Sequence, residues 1–394
     1  MKKKKSKPEL LAPVGDFKTL TAAVKAGCDA IYLGLKEFNM RNSARNFTIS
    51  DLDKINKIIK PKKIKLYLTL NTIIYNNELK KIEQIIKKVK KKIDAIICWD
   101  LSVIELCKKY KIPFHVSTQA SISNSKSALF YKKLGAERAI LARELNLKQI
   151  KEISKILPIE VFVHGAMCVS ISGRCFTSQF LHNRSANRGQ CQHPCRKAYT
   201  ITDDEGNKVK VENNKIMSAK DLCCLPFLEK LKKAGISSFK IEGRNRSPEY
   251  VYAVVSIYRK ALDKRLTKKE LKESVKNLEE VYNRGFSSGF YFKIPTSDDF
   301  TKTEHGESKK TKMFIGKIHH YWKNIGVADL KINTGKLKIG DVIIVSGNTT
   351  FFKTKIESME IDHKPISSVK KGKHVGIKLP ECRENDEVYL VVKK

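Results

Sequence analysis

Short apolar runs that suit buried β-strands recur along the first 244 residues, separated by amphipathic helical patterns. They span residues 9–14, 30–35, 65–70, 95–100, 113–118, 138–143, 159–164 and 238–244. Eight strand–helix repeats are typical of one α/β fold, the (β/α)8 TIM-like barrel, whose parallel strands are buried on both faces. A doubly wound open sheet is the alternative, but the number of repeats favours a closed barrel.

Two of the intervening helices have clear start signals. Asp16 precedes an apolar-periodic segment that stops at Gly27, and Ser50 precedes a second such segment. Asp and Ser are common N-cap residues because their side-chain oxygens accept hydrogen bonds from the first turn of a helix. We therefore expect both residues to cap helices.

One connection is much longer than the others. Residues 165–219 form an insertion after the seventh predicted strand. Loops of this length are usually functional, and the loops that follow strands form the active face of a TIM barrel. The functional site is therefore predicted on this face.

The C-terminal part of the chain has a different pattern. Helical periodicity disappears from Met313 onward, and short alternating runs follow at residues 314–319, 342–345, 353–361, 374–379 and 387–392. Such runs, broken by Gly-containing turns, predict a small antiparallel β-barrel. The segment LKIGDVIIVSG at residues 337–347 resembles the second-domain barrels of translation factors. We predict a barrel domain over residues 1–305 and a small β-barrel domain over residues 312–394.

The chain is strongly basic, with 78 Lys and Arg residues against 41 Asp and Glu residues and a formal net charge of +37. A surface this positive attracts polyanions, and RNA is the first candidate. A lysine-rich composition that is merely solvated is the alternative. No window is apolar and long enough to span a bilayer, and no long apolar segment follows the basic start, so we expect a soluble cytoplasmic protein without a membrane partner.

Four of the ten cysteines are close together in the insertion: Cys168, Cys175, Cys191 and Cys195, spaced C-x6-C-x15-C-x3-C. In the reducing cytosol such a group indicates a metal site more than disulfides. A radical SAM motif is excluded because Ala198 stands where its third cysteine would be. Zinc usually has paired C-x2-C ligands, which are missing here, but both tetrahedral zinc and a four-iron cluster remain open.

Polar residues stand at the predicted strand ends, where a TIM barrel places its site. Arg143 and Arg244 are the natural partners of a small acidic ligand because guanidinium groups bind carboxylates through two hydrogen bonds. The further candidates are Asn71 and Gln119 for substrate binding, and His164, Glu144 and Glu242 for catalysis. For each arginine, a buried ion pair with Glu242 or Glu144 is the alternative.

A common metalloprotease motif, H-E-x-x-H, is missing from the sequence. A Cys168–His164 pair would be the nucleophile and base of a cysteine protease, although this use would remove one of the clustered thiols from a metal site.

The segment EVFVHGAMC-x4-GRC-x2-S at residues 160–178 resembles the signature of the peptidase U32 family, the collagenase-like peptidases. The resemblance extends over nearly the whole chain. Supporting segments are LLAPVGD at 10–16, NMRNSARNFT at 39–48, STQAS at 117–121, LARE at 141–144, ANRGQC-x3-CR at 186–196, SAKDL at 218–222 and KIEGR at 240–244.

The resemblance implies more than the family name does. Better-understood members resemble RNA and quinone hydroxylases that hold a 4Fe-4S cluster and take oxygen from prephenate. By the motif, the four clustered cysteines would bind the cluster, with Cys223 as a reserve fourth ligand in place of Cys195. The net charge of +37 favours RNA over a quinone, and the dicarboxylate prephenate suits Arg143 and Arg244.

We therefore expect a hydroxylase of tRNA wobble uridine that forms 5-hydroxyuridine and uses prephenate as the oxygen donor. Hydroxylation of a 23S ribosomal RNA cytidine is an alternative within the same chemistry. A collagenase-like peptidase is the alternative from another enzyme class. An RNA-binding assembly factor with structural zinc is the third alternative.

Overall fold

The computed structural model describes residues 7–197, 199–209, 217–301, 308 and 310–393. The strands are β1 Glu9–Pro13, β2 Ala30–Gly34, β3 Lys65–Thr69, β4 Ala95–Cys98, β5 Phe114–Val116, β6 Arg138–Ile140, β7 Ile159–Gly165, β8 Ile201–Thr202, β9 Lys208–Val209, β10 Asp221–Cys223, β11 Ser238–Ile241, β12 Phe286–Ser287, β13 Lys310–Trp322, β14 Val327–Ile332, β15 Lys336–Lys338, β16 Val342–Ser346, β17 Phe351–Lys355, β18 Met359–Ile361, β19 Lys364–Pro365, β20 Ser368–Lys370, β21 His374–Lys378 and β22 Glu387–Lys393. The α-helices are α1 Phe17–Lys25, α2 Asp51–Ile59, α3 Leu79–Val89, α4 Leu101–Lys109, α5 Ser125–Lys133, α6 Leu147–Ile153, α7 Thr177–His182, α8 Leu228–Lys233, α9 Pro248–Asp263 and α10 Lys268–Glu279.

Eight parallel strands close into a barrel, which confirms the predicted TIM-like fold. Strands β1 to β7 pair in sequence order, and β11 pairs in parallel with both β7 and β1. Closure buries the strands on both faces, as their continuous apolar runs require. Strand β10 pairs antiparallel with the end of β7 and lies outside the ring of eight.

Several predicted strands end earlier than their apolar runs suggest. The run at residues 95–100 forms a strand only up to Cys98, because the Asp100 side chain accepts a hydrogen bond from Ser102 N and caps α4. Asp16 caps α1 as predicted, through a capping box with Thr19. Ser50 makes no capping bond, so that prediction was wrong; the hydroxyl of Thr48 accepts from Asp51 N instead, at 3.3 Å.

The C-terminal part is an antiparallel all-β region, also as predicted. Eight of its strands form one sheet, in the order β17-β16-β22-β13-β14-β21-β18-β19, and β15 pairs with β20. The sheet encloses a core of its own and also packs on the barrel, where the rings of Tyr252 and Phe351 lie 5.0 Å apart. The predicted domain boundaries stay predictions; residue 305, like Ala198 and residues 210–216 of the predicted insertion, lies outside the described residues.

In the part of the chain that the structure describes, no helix combines the length and the apolar character that crossing a bilayer requires.

Candidate functional site

A cavity of about 300 Å³ opens at the carboxyl ends of the barrel strands, on the face where TIM barrels place their sites. The insertion after β7 covers one side of it and contributes three thiols to its wall, those of Cys168, Cys191 and Cys195. Strand ends supply the other walls. The cavity is therefore the meeting point of the barrel and the cysteine-containing insertion.

Three of the four clustered cysteines, Cys168, Cys191 and Cys195, line this side of the cavity. Cys168 follows β7, Cys175 precedes α7, and Cys191 and Cys195 flank the turn at His193. Burial raises the pKa of the Cys195 thiol, Arg196 lowers it, and the charges of the other three thiols raise it further. Each is partly exposed, unlike the six other cysteines, which are buried.

The insertion is fixed against the loop that follows β2. Gly189 has φ +81°, and a Cβ at this position would lie 2.2 Å from the carbonyl oxygen of Asn39. Its own carbonyl accepts a hydrogen bond from Asn42 N at 3.0 Å. Only glycine permits both the left-handed conformation and this approach, so Gly189 allows the insertion to pack on the loop after β2.

Hydrogen-bond donors surround the Cys191 sulfur. The backbone N–H of His193 donates to it at 3.4 Å, and the Ser178 hydroxyl lies 3.9 Å away. The same hydroxyl accepts from Gln192 N at 2.9 Å, which fixes its position. Donors of this kind accompany the sulfur ligands of protein metal centres.

The cavity wall is rich in cations. Its basic side chains are Arg41, Arg143, Arg196, Lys240, Arg244, Arg246 and Arg284. Glu242 is the one acidic residue among the described residues that line it, and it is paired: Arg41 donates to its Oε1 through Nη2 at 2.8 Å and through Nε at 3.1 Å. Burial alone would raise the pKa of Glu242, but Arg41 and its neighbouring guanidinium groups lower it to about 2. The cavity therefore keeps a net positive charge.

Two guanidinium groups in this wall have unused donors. Arg143 donates from Nη1 to the Ala166 carbonyl at 2.9 Å, while its Nε and Nη2 are buried without a hydrogen-bond partner. Arg196 donates from Nη2 to the Met167 carbonyl at 3.0 Å, and its Nη1 is likewise buried and unpaired. Burial lowers the pKa of both groups. Buried unpaired donors are costly, so an anion in the cavity would relieve them.

Arg244 differs from Arg143 because the protein already satisfies it. It donates to Thr69 Oγ1 at 3.1 Å and to Asn39 Oδ1 at 2.9 Å, and burial lowers its pKa to about 10. Arg244 donates no hydrogen bond to Glu242 or to Glu144, so neither of the ion pairs considered as alternatives is formed. Its contacts join β3, the loop after β2 and the end of β11.

Both predicted amides line the cavity but are engaged in its framework. Asn71 Oδ1 accepts from Met40 N at 3.1 Å, and Gln119 Nε2 donates to the Ser172 carbonyl at 3.3 Å. They connect barrel strand ends to the loop after β2 and to the insertion. Their predicted role in substrate binding is compatible with this position and stays a prediction.

Two predicted catalytic residues do not reach the cavity. His164 is buried among the rings of Tyr250, Tyr258 and Phe286, and burial lowers its pKa to about 3, helped by the charge of Arg246. Glu144 is exposed and is not part of the described cavity wall. The end of β7 turns His164 toward α9, because alternate side chains of a strand point to opposite faces.

The reserve ligand Cys223 is also away from the four thiols. It lies on β10, opposite His164, and its side chain is buried in the core. Burial raises the pKa of this thiol to about 11. Cys195, and not Cys223, lines the cavity together with Cys168 and Cys191.

Sequence reasoning missed most of the cations in the wall. Arg41 and Arg196 lie within the segments NMRNSARNFT and ANRGQC-x3-CR, Arg246 stands two residues after Arg244, and Arg284 comes from the segment before β12. None is at the end of a barrel strand. The sequence signal for Arg41 and Arg196 was their place within segments that resemble a known family. Which arginines face the cavity is visible only in the folded loops.

The chain is similar in sequence to a known family and to several named proteins. A model of peptidase family U32 matches residues 15–301. The chain is 40% identical to an uncharacterized protease of Methanocaldococcus jannaschii, over 97% of this chain and 98% of that protein. It is 37% identical to a collagenase of Porphyromonas gingivalis, over 98% of each chain. It is 36% identical to tRNA hydroxylation protein P1 of Bacillus subtilis, over 80% of this chain and 78% of that protein.

Proposed function

Since the chain belongs to peptidase family U32, we propose that it is an RNA hydroxylase that acts on tRNA wobble uridine and takes the oxygen atom from prephenate. The observation that carries this proposal is the cavity itself. Three of the four clustered thiols stand beside seven basic side chains in a space of about 300 Å³, a size suited to a small ligand. A relative that aligns with 80% of this chain is named a tRNA hydroxylation protein.

Prephenate is a dicarboxylate, and the cavity offers it unpaired donors. The free Nε and Nη2 of Arg143 match one carboxylate, and the free Nη1 of Arg196 lies in the same wall. Hydrogen bonds between a guanidinium and a carboxylate are charge-assisted and strong in a buried setting. We therefore assign the carboxylate clamp to Arg143 and Arg196, with Arg244 as a residue that holds the wall in place.

The donor set also fits a 4Fe-4S cluster. Cys168, Cys175, Cys191 and Cys195 supply four thiols, and the His193 N–H and Ser178 hydroxyl approach one sulfur as such donors do around protein clusters. The positive charge of Arg196 offsets the charge of the thiolates. A cluster held here would supply one-electron chemistry at the cavity wall.

An RNA substrate accounts for features outside the cavity. The net charge of +37 suits a polyanion. Beside the cysteines, Phe176 and Phe180 of the insertion are exposed, and Phe180 has 85% of its surface open to solvent. Exposed aromatic rings beside basic residues stack on unpaired bases. A base inserted from a single-stranded loop would reach the cavity without unpairing a duplex.

The runner-up is a collagenase-like peptidase, because the Porphyromonas gingivalis relative is named a collagenase. Such an enzyme needs a thiol with a base beside it. The proposed pair of Cys168 and His164 is not formed, since His164 is buried against Tyr258 and does not line the cavity. Burial lowers the pKa of the other nearby imidazole, His193, to about 4.

Metal content tests the proposal. We would purify the protein without oxygen, measure iron, sulfide, zinc and the absorption spectrum, and compare a Cys168→Ser/Cys191→Ser variant. About four irons and four sulfides per chain, lost in the variant, would support the hydroxylase. Stoichiometric zinc that is lost in the same variant would favour the RNA-binding assembly factor. Metal-free protein that cleaves denatured collagen, with cleavage abolished by Cys168→Ser, would favour the peptidase.

A further inference from the structure

Three metal-ligating side chains converge on the outer face of the C-terminal sheet. They are His319 on β13, Asp329 on β14 and His374 on β21, and one ligand atom from each lies within 4.8 Å of the other two. His374 Nδ1 is 2.9 Å from Asp329 Oδ2, and His319 Nδ1 is 3.2 Å from the same oxygen. The two imidazole rings are 5.1 Å apart and nearly perpendicular, at 89°.

The sheet itself brings these residues together. Asp329 lies between Ala328 and Leu330, which are fully buried, so its carboxylate is on the outer face. In β13, the register shifts between Ile318 and His320, and His320 pairs with Asp329. His319 is thus the extra residue of a β-bulge, a feature that redirects side chains locally.

The other neighbouring strand leaves room beside the carboxylate. Gly376 of β21 is directly opposite Asp329, so no side chain occupies that position. His374, two residues earlier on the same face, turns its Nδ1 onto the carboxylate. A bulge on one side and a glycine on the other therefore allow both imidazoles to reach one aspartate.

The separations match metal coordination. In a tetrahedral zinc site with bonds of about 2.0–2.1 Å, neighbouring ligand atoms are about 3.3 Å apart. The two His–Asp separations, 2.9 Å and 3.2 Å, are close to that value without any change of backbone. Two imidazoles and one carboxylate select borderline cations such as Zn²⁺ over Mg²⁺ or Ca²⁺, which prefer oxygen ligands.

We propose that His319, Asp329 and His374 form a second metal site that binds one zinc-type divalent cation, with solvent in the remaining coordination positions. It differs from the cysteine site in its ligands, nitrogen and oxygen instead of sulfur, and in its place, on the C-terminal sheet instead of the barrel. The cation would link three adjacent strands, β13, β14 and β21. The proposal is independent of the function proposed for the cavity.

Calorimetric titration of the full chain with Zn²⁺ tests this site. The titrations use Cys168→Ser/Cys191→Ser protein, in which the thiol site is disabled, and the same protein with His374→Ala or His319→Ala added. His320→Ala is the matched control, because His320 is also exposed on β13 but pairs with Glu384, at 2.9 Å. All three histidine side chains are exposed, and circular dichroism would verify folding.

We expect one equivalent of Zn²⁺ to bind to the background protein and to the His320→Ala variant. Each of the two other histidine replacements should weaken that binding at least tenfold. Equal binding by the His374→Ala variant and the background protein would overturn the proposal, as would an equal loss in the His320→Ala control. If the cysteine variant does not fold, the same comparison is made between the wild-type protein and the single His374→Ala variant.

Discussion

The guanidinium of Arg41 donates two hydrogen bonds to Oε1 of Glu242, at 2.8 Å and 3.1 Å. This pair joins the loop after β2 to the end of β11 and neutralises the one acidic side chain of the described cavity wall. Tyr32 adds a third hydrogen bond to the same carboxylate, at 3.2 Å. Glu242 is thus satisfied by the protein, whereas Arg143 and Arg196 keep donors free for an anion.

Replacement of Glu242 by Gln should destabilise the fold by on the order of 3 kcal/mol at neutral pH, because Arg41 loses its charged partner in a mostly buried place. Urea denaturation measures the change. Glu144→Gln is the matched control, since that glutamate is exposed, and it should leave the free energy of unfolding unchanged.

The same pair predicts a pH dependence. The pKa of Glu242 is lowered to about 2 in the fold, so its stabilising contribution is complete above the ordinary carboxyl pKa and is lost as the pH falls toward 2. The difference in unfolding free energy between wild type and Glu242→Gln should therefore shrink below about pH 4.5. A difference that stays constant from pH 7 to pH 3 would contradict this role.

Arg143→Gln should raise the KM for prephenate about tenfold or more while the protein stays folded, because most of its donors are unused by the protein. Arg244→Gln should instead lower thermal stability, since it removes the bonds to Thr69 and Asn39. Steady-state kinetics and melting curves separate the two effects. Arg265→Gln, at an exposed position, should change neither.

Cys195→Ser should abolish binding of the proposed cluster, and Cys223→Ser should not, because Cys195 lines the cavity with Cys168 and Cys191 whereas Cys223 is buried in the core. Iron and sulfide analysis of both variants, prepared without oxygen, measures this difference. Loss of iron in the Cys223 variant with retention in the Cys195 variant would reverse the assignment of the fourth ligand.

Phe180→Ala should weaken tRNA binding about tenfold, because one base–aromatic stack contributes roughly 1–3 kcal/mol. The ring is 85% exposed, so the fold should be unaffected. Phe130→Ala is the control: its ring is 59% exposed on α5, outside the insertion. If the Phe180→Ala and Phe130→Ala variants bind tRNA with equal affinity, the insertion is not part of the RNA-binding surface.

Most of the fold could be predicted from the sequence because buried parallel strands have continuous runs of apolar residues. The strand ends were less accurate, since a side chain such as Asp100 ends β4 by capping the next helix. In the C-terminal region the length of β13 was missed, as its β-bulge breaks the alternating pattern that identifies strands.

The site was only partly predictable. The spacing of the cysteines and the position of Arg143 at a strand end both pointed to the cavity. Which arginine has free donors depends on contacts between distant segments: Asn39 satisfies Arg244, and Arg41 reaches Glu242 across 201 positions of the chain. His164 was assigned from its place at the end of β7, but the packing of α9 buries it. Local patterns do not contain such information.

Transfer of oxygen from prephenate to RNA tests the central claim most directly. We would incubate iron-loaded protein, without molecular oxygen, with unmodified tRNA and oxygen-18-labelled prephenate, and analyse the nucleosides by mass spectrometry beside a Cys168→Ser control. We predict 5-hydroxyuridine that contains oxygen-18, formed only with prephenate and missing in the control. Unmodified tRNA with iron-loaded protein, or a hydroxyl group whose oxygen comes from water, would contradict the account.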